Sequence, residues 1–131
     1  MIRTAASRRE LRGEHFRGAL GFRGMRGEAL KGHLDGMLLA ALAAGPAHGY
    51  VIIESLREAS GGAFDLPEGT VYPALHRLEQ AGLLASRWSR ESGRRRRVYA
   101  LTVRGRRALD ERRGEWRLFA GAMEAILEGD R

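Results

Sequence analysis

The sequence predicts a mainly α fold with a small β-hairpin, and three observations predict it. Apolar residues recur at helical spacing in four separate stretches, one segment between them alternates with period two, and Gly45-Pro46, Gly61-Gly62 and Gly82 stand between the stretches. At 131 residues and 14.5 kDa the chain has room for one compact domain with at most a tail and one extra helix.

Residues 1–32 hold six glycines among arginines with no sustained period, so they read as a flexible N-terminal arm, with a short helix conceivable over Arg8 to Phe16. The folded domain is expected over residues 33–104. Leu34, Met37, Leu38, Ala41 and Leu42 make the apolar stripe of a first helix, stopped by Gly45-Pro46. A second helix is expected from about His48 to Ser60, burying Ile52, Ile53 and Leu56 and ending at Gly61-Gly62.

A third helix opens near Pro67 or Glu68 and ends at Gly82. At about 100° per residue, Val71, Ala74, Leu75 and Leu78 share its core face, while Gly69, Tyr72, Pro73, His76, Arg77 and Gln80 share the other. Because Pro73 lacks an N–H, the regular part is expected to start near Gly69 or Thr70. After Gly82, alternation over residues 83–89, a polar turn at Glu91-Ser92-Gly93 and the run Val98-Tyr99-Ala100-Leu101 read as a hairpin with Arg94, Arg95, Arg96 and Arg97 at its tip. Thr102 is placed to cap a last helix reaching about Leu127, within a C-terminal region of residues 105–131. Leu109, Trp116 and Met123 lie seven apart on it. A single small domain cannot cover such a stripe, so a partner helix is expected, most simply that of a second copy.

Charge narrows the function. The net charge is +7, and 22 of the 23 basic residues are arginine. Residues 1–32 and 67–104 each carry a net +5, residues 33–66 carry −3, and residues 105–131 are neutral. Two basic segments point to a polyanion-facing surface, and guanidinium suits bidentate phosphate and guanine contacts. The absence of cysteine excludes a disulfide scaffold, a cysteine zinc site and a thiol nucleophile. His15, His33, His48 and His76 have no metal-ligand spacing, and no carboxylate pair, Ser/His arrangement or phosphate loop supports an enzyme, so neither cofactor nor metal is expected. The longest apolar run, Met37 to Ala44, is far short of a membrane span of about 18 residues, and a soluble cytoplasmic protein is expected.

Three helices followed by a hairpin, with a polar and basic third helix and an arginine tip, form the organisation of a winged helix-turn-helix with a long C-terminal helix. A helix of about 10–12 Å diameter fits the major groove of a duplex, and the hairpin can lay arginines along phosphates. On this reading Tyr72 and His76 face base edges or backbone, Thr70 both caps the helix and meets phosphate, and Arg77 either reaches DNA or pairs with Glu79, Glu68 or a carboxylate elsewhere. His48 is expected to bond locally.

The stretch Leu38 to Gly105 resembles the PadR-type transcriptional regulators. The resemblance rests on Gly45-Pro-Ala-His-Gly-Tyr50, on Gly69-Thr-Val-Tyr-Pro-Ala-Leu75 with Arg77-Leu78-Glu79, and on Tyr99-Ala-Leu-Thr102 ending in Gly105. It implies a homodimeric repressor that binds a double-stranded operator, with a C-terminal region of the short, single-helix kind that makes the dimer. It also supports a DNA role for Tyr50, Gly69, Thr70, Tyr72, Pro73, His76, Arg77 and Arg94 to Arg97. Two Trp116 indoles across a two-fold axis would form a slot for a planar aromatic effector, with Leu109, Arg112, Phe119 and Met123 around it. The alternative is a sequence-indifferent DNA- or RNA-binding protein dominated by its Arg/Gly-rich arm.

Overall fold

The computed structural model describes Leu30 and residues 32–129. Apart from Leu30 and Gly32, the arm expected over residues 1–32 lies outside the described residues. Leu30 itself is buried in the core, ahead of the expected domain start at His33.

Helix α1 spans Leu34–Ala41. Leu34, Leu38 and Leu42 are buried as their spacing predicts, but Leu39 is enclosed as well. The reason is position: α1 packs against the second, third and last helices at once, so its buried face is broader than a single stripe. The next element is a strand that the sequence reading did not include. β1, Ala47–His48, takes the residue expected to open the second helix, and α2 then runs over Gly49–Ala59. Ile52, Ile53 and Leu56 are buried on it. Gly61 and Gly62 end it at φ 65° and 90°, a region costly for any side chain.

Helix α3, Glu68–Gln80, opens at Glu68 as expected, but it is regular from there and not from Gly69 or Thr70. Pro67 is its N-cap, so Thr70 lies inside the first turn and does not cap it, and Pro73 stands within the helix. The missing Pro73 N–H leaves only the carbonyl of Gly69 without its helical donor, and Gly69 is exposed, so solvent can take that place. Val71, Ala74, Leu75 and Leu78 are buried, the four residues expected. The helix ends in a Schellman motif: Gly82 has φ 84° and donates to Glu79, while Leu83 donates to Leu78.

The hairpin is β2, Leu84–Ser89, and β3, Arg96–Leu101, joined through a turn of 3₁₀ helix at Glu91–Gly93. The pairing is antiparallel from Leu84 opposite Leu101 to Ser89 opposite Arg96, and β1 adds to the other edge of β3 with Ala47 opposite Tyr99. The sheet therefore has three strands in the order β1-β3-β2.

Helix α4 spans Val103–Glu128. Thr102 caps it as expected, accepting from the Gly105 N–H at 3.0 Å, and its hydroxyl also donates to the Gly82 carbonyl at 2.7 Å. Only Gly105 and Leu109 of α4 are buried. Beyond them the helix carries Trp116, Leu118, Phe119, Ile126 and Leu127 in the open. The core proper comprises Leu38, Leu39, Leu42, Ile52, Val71 and Leu75, all fully enclosed, each worth about 1.5–3 kcal/mol of transfer free energy. This core fixes α3 against the sheet and leaves the outer face of α3 bare.

Candidate nucleic-acid interface

The chain brings α3, the start of α2 and the arginine end of the hairpin around one groove of about 560 Å³, lined by His48, Gly49, Tyr50, Tyr72 and Arg94 to Arg97. Tyr72 forms its floor. The ring is 39% exposed and lies over Gly49, where a β-carbon would overlap it. A side chain at Gly49 would displace the Tyr72 ring, so glycine at the start of α2 keeps that ring in the groove. Burial, with Glu68 adding and Arg96 opposing, holds the Tyr72 phenol above its ordinary pKa, so it remains an O–H donor at neutral pH.

Tyr50 is exposed and stacks on His48 with ring centroids 6.5 Å apart. His48 does not bond locally. The Arg96 guanidinium donates to its Nε2 at 2.8 Å, across 48 positions of sequence, which requires that nitrogen to be unprotonated. Desolvation first, and then the Arg96 charge, lower the His48 pKa, with Glu91 opposing them. The folded chain thus binds its proton less readily than the unfolded chain. Stability is expected to be complete above about pH 6.5 and to fall as pH drops from there towards the lowered folded value. Urea titrations between pH 5 and 7.5 would read this, and His48→Gln should flatten the His48 contribution.

The four arginines do not form one cluster. Arg94 and Arg95 belong to the turn, whereas Arg96 and Arg97 open β3 and so point to opposite faces of the sheet. Arg96 goes to His48. Arg97 donates through Nε to the Ser86 hydroxyl at 2.9 Å, and Ser86 donates to Glu79 on α3 at 2.7 Å.

Of the remaining α3 residues, Gly69, Pro73 and His76 are exposed on the outer face and Thr70 is half-buried. Arg77 also lies on the surface but is held: its guanidinium reaches Asp35 of α1 at 2.9 Å. It has found the more distant of the carboxylate partners that the sequence left open. Exposed pairs of this kind contribute about 0–1 kcal/mol, so Asp35 orients Arg77 more than it stabilises the fold.

On α4 the expected ligand set divides. Trp116 is 52% exposed, with the His33 ring edge-on at 5.5 Å and Phe119 at 5.8 Å, and Met123 lies further along in partial exposure. Leu109 is different. It is 2% exposed within the core of its own domain, because α4 has not yet left the domain at that point. Its expected place on a pocket wall at the outer stripe is therefore corrected. Arg112 turns back towards α1, with Asp35 at 3.9 Å. Residues that the sequence reading missed are Asp35, Gly49, Ser86, Glu79 as the partner of Ser86, and Trp88. Only Gly49 had a signal, inside the Gly45–Tyr50 motif.

Among the described residues no group of three or more histidines and carboxylates is placed to hold a metal ion, and no helix is long and apolar enough to cross a membrane.

A profile described as the Transcriptional regulator PadR-like family matches residues 38–111, more than half of the chain. The chain belongs to the PadR-like family. A PadR family transcription regulator of Clostridium difficile has a similar structure, with a TM-score of 0.66 and 35% identity, covering 72% of this chain and 98% of the other. A PadR family transcriptional regulator of Eggerthella lenta is similar with a TM-score of 0.70 and 31% identity, covering 82% and 93%. A transcriptional regulator of Mycobacterium tuberculosis is 49% identical over 57 residues, which are 44% of this chain and 53% of that protein. The family match identifies this PadR-like chain as a DNA-binding transcriptional regulator.

Proposed function

We propose that this PadR-like chain is a homodimeric repressor that places α3 in the major groove of a pseudo-palindromic operator, with the hairpin on the flanking backbone. The observation that carries the reading is the groove lined by Tyr50, Tyr72 and the arginines of residues 94–97, which gathers aromatic, hydrogen-bonding and cationic groups from α2, α3 and the hairpin. Gly69, Thr70, Pro73, His76 and Arg77 extend the contact along α3. The domain over residues 33–104, basic from residue 67 on, supplies this contact, and the neutral residues 105–131 supply the dimer. Two α3 helices would enter successive major grooves about 34–36 Å apart.

The apolar outer face of α4 supports the dimer. Trp116, Phe119, Met123, Ile126 and Leu127 lie within about 100° of one another round the helix and are too large an exposed apolar set for a helix left in water. Phe119→Asp is expected to weaken self-association at least tenfold, seen as a monomer mass in sedimentation at concentrations where the unmodified chain is dimeric; an unchanged mass would remove α4 from the interface. Between two such helices Trp116 and its neighbour Phe119 offer flat apolar surface to a planar aromatic effector, and Arg112 and Met123 flank them. Effector binding would release the operator by favouring a spacing of the two hairpins that does not fit it. Quenching of Trp116 emission by planar aromatic compounds, lost in Trp116→Ala, is the corresponding test.

The reading as a whole is tested by selecting a duplex from a random pool and competing it against its scrambled sequence. Preference for the selected duplex supports an operator-binding regulator, whereas equal affinity would mean sequence-indifferent binding. Tyr72→Ala is expected to cost about ten- to hundredfold for the selected duplex with the dimer intact, the scale of one lost specific contact. Unchanged affinity would exclude Tyr72 from the interface.

A further inference from the structure

Four consecutive arginines in a turn pose a physical problem. Like charges repel, and each guanidinium rides on a flexible stem with much rotamer freedom to lose when it binds. The hairpin meets this with an aromatic residue that stands outside the α3 groove. Trp88 stands on β2 directly opposite Arg97 and is 52% exposed, with no place in the core. The guanidinium carbon of Arg95 lies 4.3 Å from the centre of its ring, and that of Arg97 lies 5.0 Å away. A ring face attracts cations at these distances. Arg97 is further held by Ser86, and Ser86 by Glu79 of α3. The ring and the Glu79–Ser86 pair thus set the direction of two hairpin arginines relative to α3 before any ligand arrives.

We infer that Trp88 is a positioning residue for phosphate recognition: it orders Arg95 and Arg97 in the free protein so that hairpin and α3 present to the duplex as one rigid unit. The inference rests on the proposed DNA-facing role of the hairpin. It also explains an otherwise unfavourable feature, a large indole displayed on a strand tip beside the most basic part of the chain. Because Trp88 acts through the two arginines and not as a contact of its own, its removal should weaken binding without changing the number of phosphates neutralised.

The test measures affinity for a mixed-sequence duplex across a salt series, using the full chain. Trp88→Leu is expected to lower affinity about three- to tenfold at each salt concentration while the slope of log K against log salt stays that of the unmodified protein. Trp88→Phe should restore most of the loss. In an Arg95→Gln/Arg97→Gln background, which lowers the slope, Trp88→Leu should cost nothing further. A full cost in that background, an unchanged affinity on Trp88→Leu alone, or failure of phenylalanine to restore binding would each overturn the inference. If the unmodified chain shows no salt-dependent duplex binding, the DNA reading itself fails, and that result is visible before any Trp88 variant is made. A readout without DNA covers the case of a variant that does not fold: in Trp116→Phe protein the emission of Trp88 should shift when Arg95 and Arg97 become glutamine, and an unshifted spectrum would overturn the stack.

Discussion

Replacing Arg94 to Arg97 together with alanine is expected to weaken binding to every duplex, selected or scrambled, and to lower the salt slope by about 2–4 for each hairpin. The range follows from how the four are held. Arg94 and Arg95 lie in the turn, whereas Arg96, engaged by His48, and Arg97, held by Ser86, open β3 on opposite faces of the sheet, so the two need not both reach the duplex. A lowering of about 2 per hairpin would mean that only the turn arginines meet phosphate, and one of about 4 that all of them do. Fold stability should change little, since these arginines contribute surface charge and not core. An unaltered slope would show that the hairpin does not touch phosphate.

Gly105→Ala is expected to have the largest effect on the fold. A β-carbon at Gly105 would collide with the carbonyl oxygen of Leu83, which also accepts the Thr102 N–H at 3.1 Å. That carbonyl belongs to the backbone and cannot swing aside. Relief would need α4 to move away from the end of α3 and would break the Thr102 cap on the way. The cost is put at about 3 kcal/mol, a drop in Tm of roughly 12–24 °C for a domain of this size. Thermal melts would read it; a melt within a few degrees of the unmodified chain would mean that α4 docks more loosely than the geometry requires.

The helices were legible because each carries both a spaced apolar face and a breaker, as on α3, where Val71, Ala74, Leu75 and Leu78 precede Gly82. β1 was not legible, since two residues cannot display a period and its pairing with β3 depends on a fold built later. The same limit hid the long-range polar contacts. Arg77 with Asp35 and His48 with Arg96 lie 42 and 48 residues apart, and nothing in either local pattern marks the partner. Leu109 shares the seven-residue spacing of Trp116 and Met123 yet faces the core, because that spacing continues unbroken through the point where α4 leaves the domain. The pattern tells which side a residue occupies, not what stands beside that side. Of the candidate site, Tyr50, Tyr72 and the arginines converge on one groove, whereas Trp88 carried no sequence signal because its relation to Arg97 is set by the strand register.

The two hydrogen bonds of Thr102 have a mechanical consequence. One hydroxyl joins the last turn of α3, through Gly82, to the first turn of α4, through Gly105. Helix α4 is 26 residues long, about 39 Å, so it acts as a lever whose root, from Thr102 to the buried Leu109, is fixed in the domain. A tilt of about one degree there displaces the far end by roughly 0.7 Å over that length. Read in reverse, a sub-ångström shift near the tip of α4 turns the reading head through only a small angle, and the arrangement trades amplitude for precision.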